Sequence, residues 1–286
     1  DLDKYPAKEL DAMWKKLLIN QFHDIIPGSS INMVYQTTHK EYEEIHKGCD
    51  DLIDQSTKIL FQEDQNAFVL MNTLSYRWQG MVTIPESFNG HTILNDLGEA
   101  LKLQKIGEKI EAFVSLNPLS FSTFRKGEKS NTEELTDNGL ILENDLIRYE
   151  FNDQGKMISA FDKEISKEVI TDVGNVLSLY EDRPNNWDAW DIDFFYRDAL
   201  IETAVVSNKP SALIGGISKK IEFTFKIGVS KIIQKITLQP ESKRIDFQTK
   251  VDWKEKHKML RVHFPVTVMS DQATFDIQYG YVKRNS

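Results

Sequence analysis

Residues 221–229 read Ile-Glu-Phe-Thr-Phe-Lys-Ile-Gly-Val, with an apolar side chain at almost every second position. A period of two places alternate side chains on opposite faces of an extended strand. One apolar and one polar face are typical of a strand in an antiparallel sheet that covers a core on one side. Similar alternation recurs in residues 245–253, 260–268 and 275–281. The second half of the chain is therefore predicted to form an antiparallel β-sandwich.

The beginning of the chain has a helical period instead. Residues 8–61 are predicted to be helical, with a first helix that ends at Pro27-Gly28 and a second helix that Ser29-Ser30 would cap. The apolar stripe of the first helix consists of Leu10, Met13, Trp14, Leu17, Leu18, Phe22 and Ile25. The second helix carries a nearly heptad seam from Val34 to Ile59, so we expect an antiparallel hairpin that is part of a three-helix bundle.

The fold class expected from these patterns is α+β, a helical hairpin followed by antiparallel β-sandwich domains. We divide the chain into a helical segment at 1–65, a small β subdomain at 66–126 and a β-sandwich at 127–286, truncated at its C-terminus. Gly127–Gly139 and Asp182–Trp190 are predicted to be loops, and residues 152–155 (Asn-Asp-Gln-Gly) a hairpin turn. Both ends look cut, so we expect a piece of a longer polypeptide.

Composition excludes several classes of protein. The 286 residues include 35 basic and 44 acidic side chains, for a net charge of −9. An acidic chain is poorly suited to a phosphate backbone, so no nucleic-acid partner is expected. No apolar run approaches the roughly 18 residues of a membrane span, so no membrane partner is expected. The single cysteine, Cys49, excludes an intrachain disulfide and favours a reducing, cytoplasmic location.

The pair His23-Asp24 is the first candidate site. It lies at the predicted end of the first helix, just before Pro27-Gly28. A neutral imidazole is a good zinc ligand, and a carboxylate beside it can bind sugar hydroxyls or orient a ligand. Alternatively, His23 is a histidine favoured by the helix dipole and Asp24 begins a turn.

A second candidate site lies near residue 190. Trp187, Asp188, Trp190 and Asp191 place aromatic rings beside carboxylates, and this combination suits the C–H faces and hydroxyls of a pyranose. The alternative is a loop packed by its own tryptophans, with the acidic side chains in solvent.

Residues 18–31 (LINQFHDIIPGSSI) resemble the signature of glycoside hydrolase family 38, the α-mannosidases, in its bacterial branch. Further similar motifs are Asp182-Arg183-Pro184, Trp187–Asp191, Arg244–Phe247 with Val251–Trp253, and Ile277–Gly280. The resemblance implies a three-helix region followed by β domains related to the galactose-mutarotase sandwich. It also implies retaining hydrolysis of terminal α-linked mannose from glycans or oligosaccharides, with zinc as the metal.

By the same resemblance, His23 ligates the zinc and Asp24 binds the mannose unit. The family's remaining metal ligands, its nucleophile and its general acid belong to an N-terminal catalytic barrel that these residues do not match. We therefore expect no catalytic residue in this chain, no activity and no bound zinc when it is alone, and a role for the missing domain as a partner. A non-catalytic carbohydrate-binding module and a structural β-sandwich scaffold are the alternatives.

Overall fold

The chain forms two compact units. The computed structural model describes residues 5–106, 108–130, 139–188, 190–214, 217–278 and 280–285. The first unit comprises the described residues of Asp1–Gln65 together with Asp182–Asp198, and the second comprises those of Asn66–Glu181 and Ala199–Ser286. No helix in the described residues is long and apolar enough to cross a bilayer.

The first unit contains a hairpin of two helices, α1 (Ala7–Asn20) and α2 (Asn32–Leu60). The two helices meet at Asn20, which is buried and whose Nδ2 donates to Lys16 O (2.9 Å) and to Glu41 Oε2 (2.6 Å). The prediction of a helical hairpin is confirmed.

The first helix ends seven residues earlier than predicted. Residues 21–28 form successive turns, in which Ile25 N donates to Phe22 O (2.9 Å) and Gly28 N to Ile25 O (3.1 Å). Pro27 disfavours helical backbone at the residue before it. The apolar spacing of the sequence therefore extends to Phe22 and Ile25, although the helix itself has already ended. The predicted stripe is also only partly covered, since Leu10 and Met13 are half-buried while Trp14 is 57% exposed.

The predicted cap of α2 was wrong. The residue before the helix is Ile31, without a side-chain cap hydrogen bond. Ser30 Oγ donates instead to the carbonyl of Asp24, at 2.5 Å. The serines therefore stabilise the turn before the helix.

The second unit begins with two small antiparallel sheets around one core. The first sheet has the order β1-β6-β3 and the second the order β2-β5-β4. The strands are β1 (Ala67–Asn72), β2 (Trp78–Thr83), β3 (His91–Leu94), β4 (Leu103–Ile106), β5 (Lys109–Leu116) and β6 (Ser120–Lys129). Their shared core consists of Ile84, Phe88, Ile93, Ile110, Ala112, Val114, Leu116 and Phe124. The start of the predicted loop at Gly127 is wrong, because β6 continues to Lys129; residues 131–138 lie outside the described residues.

Three further sheets follow, with the orders β10-β9-β8-β7, β12-β11-β18 and β13-β15-β16-β17, and β14 also pairs with β15. The first strands are β7 (Ile141–Glu143), β8 (Ile147–Phe151), β9 (Met157–Asp162), β10 (Lys167–Glu168), β11 (Val176–Glu181) and β12 (Leu200–Thr203). The others are β13 (Val205–Val206), β14 (Ser211–Ile214), β15 (Lys219–Ile227), β16 (Ser230–Leu238), β17 (Ile245–Asp252) and β18 (Lys258–His263).

These sheets share a large core, to which β15 contributes Ile221, Phe223, Phe225 and Ile227, the alternating residues of the opening stretch. The α+β class with an antiparallel β-sandwich is confirmed. Two separate hydrophobic cores lie within residues 66–286. The domain boundary between residues 126 and 127 stays a prediction.

The last predicted strands differ from the structure. The expected single strand over residues 275–281 was wrong, because Phe275 and Ile277 lie in β19 (Gln272–Ile277) and Tyr281 lies in β20 (Gly280–Asn285), which pairs with β19; Tyr279 is outside the described residues. Strand β18 stops at His263 because Pro265 has no N–H for a ladder, and Val266 makes only an isolated bridge with Ile170. Several apolar residues here, such as Phe275, are exposed although the pattern predicted one covered face.

Candidate functional site

His23 and Asp24 lie in the turns after α1, beyond the helix end where the sequence had placed them. Their side chains meet, with His23 Nε2 3.4 Å from Asp24 Oδ2. The side chains are 69% and 54% exposed, respectively. The His23 ring also lies against the ring of Phe22, with centroids 4.2 Å apart. Both groups are therefore available to an external ligand.

The backbone of this pair is held by residues from the start of α2. The carbonyl of Asp24 accepts from Ser30 Oγ (2.5 Å), and the carbonyl of Ile25 accepts from the Tyr35 hydroxyl (3.2 Å). The Tyr35 hydroxyl in turn accepts the N–H of Ser30 (3.0 Å). This network fixes the turn while leaving the side chains of His23 and Asp24 in solvent, which favours a ligand-binding role over a merely structural one.

The pair does not form a complete zinc site. A catalytic zinc ion takes three protein ligands, and His23 with Asp24 supplies at most two. Within the part of the chain that the structure describes, no three His, Cys, Asp or Glu side chains are grouped so that they could hold a metal ion. The donor types suit zinc, but their number does not.

The second predicted segment is a loop between β11 and β12, as expected. Trp187 has a φ of 63°, a left-handed conformation that costs an ordinary residue about 1–2 kcal/mol. Its carbonyl accepts the N–H groups of Trp190 (2.9 Å) and Asp191 (3.0 Å), which closes a tight turn. Strained backbone of this kind is concentrated at functional sites.

The tryptophans do not pack the loop, which argues against the structural alternative. Trp187 is 73% exposed and Trp190 is 53% exposed, and Asp188 and Asp191 are exposed as well. The loop is instead closed at its base, where Asn185 N donates to Asp193 Oδ2 (2.7 Å). Two exposed indoles beside carboxylates present the combination of groups that suits a pyranose.

The structure places the His23-Asp24 turn and the Trp187–Asp191 loop in one compact unit, which the sequence did not predict. Asp182–Asp198 belongs to the same compact unit as the helical hairpin, although in the chain it lies between β11 and β12 of the second unit. The loop also contains the exposed rings of Phe194 and Phe195, which the sequence analysis did not select. The three consecutive aromatic residues at 194–196, outside any alternating pattern, were the available signal.

Two family models match the chain. Residues 1–60 match the alpha mannosidase middle domain, and residues 142–286, half of the chain, match the C-terminal domain of glycosyl hydrolases family 38. The chain belongs to glycosyl hydrolase family 38. The resemblance that began with residues 18–31 is thereby confirmed.

Curated alpha-mannosidases match nearly the whole chain. Alpha-mannosidase 2C1 of Homo sapiens is 28% identical across 98% of the chain, and an alpha-mannosidase of Saccharomyces cerevisiae is 26% identical across 99%. The chain spans only 27% and 24% of these two relatives, about a quarter of their length. A crystal structure of an alpha-mannosidase from Enterococcus faecalis V583 has the same fold over 99% of the chain and 42% of its own, with a TM-score of 0.75 at 18% identity.

Proposed function

We propose that this family 38 chain is part of a retaining α-mannosidase that removes terminal α-linked mannose from glycans or oligosaccharides. The similarity to alpha-mannosidases along nearly the whole chain carries the proposal. The two carboxylates that such hydrolysis needs come from a domain outside these 286 residues, in keeping with the greater length of the relatives. The chain alone is then inactive, and the complete enzyme works in the cytoplasm.

In the complete enzyme, His23 is one ligand of a zinc ion and Asp24 accepts hydrogen bonds from hydroxyls of the mannose. The exposure of both side chains on a rigid turn supports these roles. Zinc in such a site holds and polarises oxygen ligands. Because this chain supplies too few donors, we expect it to bind no zinc on its own.

The loop of Trp187, Asp188, Trp190 and Asp191 provides further sugar contacts. The exposed indoles supply apolar area for the C–H face of a pyranose, and the carboxylates accept hydrogen bonds from its hydroxyls. The tight turn at Trp187 keeps these side chains together.

A His23→Ala change in the full-length enzyme tests the proposal. Loss of one zinc ligand should lower both zinc content and kcat/KM, the latter by at least about two orders of magnitude. Zinc is measured by metal analysis after dialysis, and kcat/KM with an aryl α-mannoside.

Two further variants serve as comparisons. His39→Ala, an exposed histidine on α2, should retain both zinc and activity. Asp24→Ala should lose activity while its zinc content stays near normal. If His23→Ala keeps its zinc and stays within a few-fold of the wild-type activity, the ligand role is wrong.

A further inference from the structure

The connection between α1 and α2, residues 21–31, carries the His23-Asp24 pair and consists of turns. Connecting segments are in general more mobile than the helices they join. Backbone hydrogen bonds within this connection, such as Gly28 N to Ile25 O (3.1 Å), join residues three or four positions apart. They shape the turns but do not attach them to either helix, so side chains must do this.

Asn20 attaches the start of the connection. Its side chain is buried, and Nδ2 donates to Glu41 Oε2 on α2 at 2.6 Å. This contact lies three residues before His23 in the chain. The backbone that follows Asp24 therefore needs a second attachment.

Tyr35, near the start of α2, provides that second attachment. Its hydroxyl accepts the N–H of Ser30 (3.0 Å) and donates to the carbonyl oxygen of Ile25 (3.2 Å). The same hydroxyl lies 3.5 Å from the carbonyl oxygen of Asp24. A single oxygen atom thus bridges two parts of the connection and ties both of them to α2.

The Tyr35 side chain is suited to this task. Its ring is half-buried, and a tyrosine has only two rotatable side-chain angles, so the hydroxyl is held in place at a low entropic cost. Ser30 Oγ adds a hydrogen bond to the carbonyl of Asp24 at 2.5 Å. Both hydroxyls act on the backbone, which leaves the carboxylate of Asp24 exposed to a ligand.

We propose that Tyr35 is a positioning residue for the site of His23 and Asp24. Its hydroxyl fixes the backbone after Asp24, so that the carboxylate meets the sugar in one orientation, and it does not touch the sugar itself. Binding groups work best when supporting contacts lock their geometry, and small displacements are costly. The effect on sugar binding rests on the proposed function, whereas the effect on the turn does not.

The first test uses the 286-residue chain and needs no sugar, metal ion or activity. Tyr35→Phe removes the hydroxyl and keeps the ring. Hydrogen exchange of the Ile26 and Gly28 amides, which bond to the carbonyls of Phe22 and Ile25, reports on the turn. Exchange of both amides, followed by NMR, should become about fivefold to tenfold faster, the effect of one lost hydrogen bond.

Tyr42→Phe is the matched control. Tyr42 is also a half-buried tyrosine of α2, and within the described part of the chain its hydroxyl makes no hydrogen bond. The exchange rates of the two amides should therefore equal those of the wild type.

The second test uses the full-length protein with an aryl α-mannoside. Loss of a contact that holds the sugar equally in the ground state and the transition state raises KM and leaves kcat unchanged. Tyr35→Phe should therefore raise KM by about fivefold to tenfold and keep kcat within about twofold of the wild type. Ser30→Ala should raise KM as well, whereas Tyr42→Phe should change neither constant.

The outcomes separate this inference from the mannosidase proposal. Unchanged exchange of the Ile26 and Gly28 amides in Tyr35→Phe, with the variant folded by thermal unfolding, overturns the inference whatever the activity. Faster exchange with an unchanged KM also overturns it, because the hydroxyl would then stabilise only the fold. A full-length wild type that does not hydrolyse α-mannosides contradicts the proposed function instead, and the exchange rates alone then decide the role of Tyr35.

Discussion

At the scale of single residues, Gly155 links a turn to the core. It closes the β8–β9 hairpin with a φ of +72°, and its carbonyl accepts Asn175 Nδ2 at 2.8 Å. A Cβ at this position would lie 2.5 Å from Cζ of Phe225. The residues Asn152 to Gly155 predict the turn correctly, because glycine suits positive φ. The contact with Phe225 was not predictable, because it joins residues far apart in the chain.

Replacing Gly155 by Ala should lower the free energy of unfolding by about 2–4 kcal/mol, since it combines a disfavoured φ with overpacking against Phe225. Gly98→Ala is the matched control, because Gly98 has a φ of +79° but open space around its Cβ. It should cost about 1 kcal/mol. Urea unfolding measures both values, and equal losses in the two variants would mean that the Phe225 contact contributes nothing.

At the scale of elements, an ion pair joins the end of β9 to the connection just before β17. Lys243 Nζ donates to both oxygens of Asp162, at 3.0 and 2.7 Å. This contact holds the pKa of the Asp162 carboxyl below its ordinary value; burial opposes the shift, and the backbone N–H groups of Ile165 and Glu164 add to it. The carboxylate thus stabilises the hairpin turn and the neighbouring strand together.

Because the pKa of Asp162 is lower in the folded state than in the unfolded state, the stabilisation is present above the unfolded pKa, about 3.9. It is lost as the pH falls through the folded pKa. Asp162→Asn should therefore lower the unfolding midpoint at pH 7 and reduce its dependence on pH below about 4. Thermal unfolding from pH 7 to pH 2.5 measures this. A variant with the same acid dependence as the wild type would show that Asp162 does not contribute to it.

The periodicity of apolar residues predicted whether a segment is a helix or a strand better than it predicted the residue at which the element ends. Both the alternation in β15 and the helical period up to Asn20 reflect local geometry, and the structure confirms a strand and a helix there. The end of α1 depends on the turns before Pro27 and on the buried Asn20, whose partner Glu41 lies on the other helix. The hairpin of β19 and β20 was missed, although Gly280 within the apolar set was an available signal for a turn.

At the scale of the whole molecule, the arrangement of the chain into units could not be predicted from local patterns. The His23-Asp24 turn was selected from its residue types, and its exposure on a rigid turn agrees with a ligand-binding role. That the Trp187–Asp191 loop belongs to the helical unit depends on long-range contacts that no period in the sequence encodes. The relatives are about four times as long, and the other residues that the proposed mannosidase site needs could not be sought within these 286 residues.

We propose that the His23 imidazole completes a metal site together with residues outside this chain. A crystal structure of the full-length protein, with the metal located by anomalous scattering at the zinc edge, tests it most directly. We expect a ring nitrogen of His23 at about 2.0–2.1 Å from the ion. A bound zinc ion with the His23 ring turned away from it would show that His23 is not a ligand.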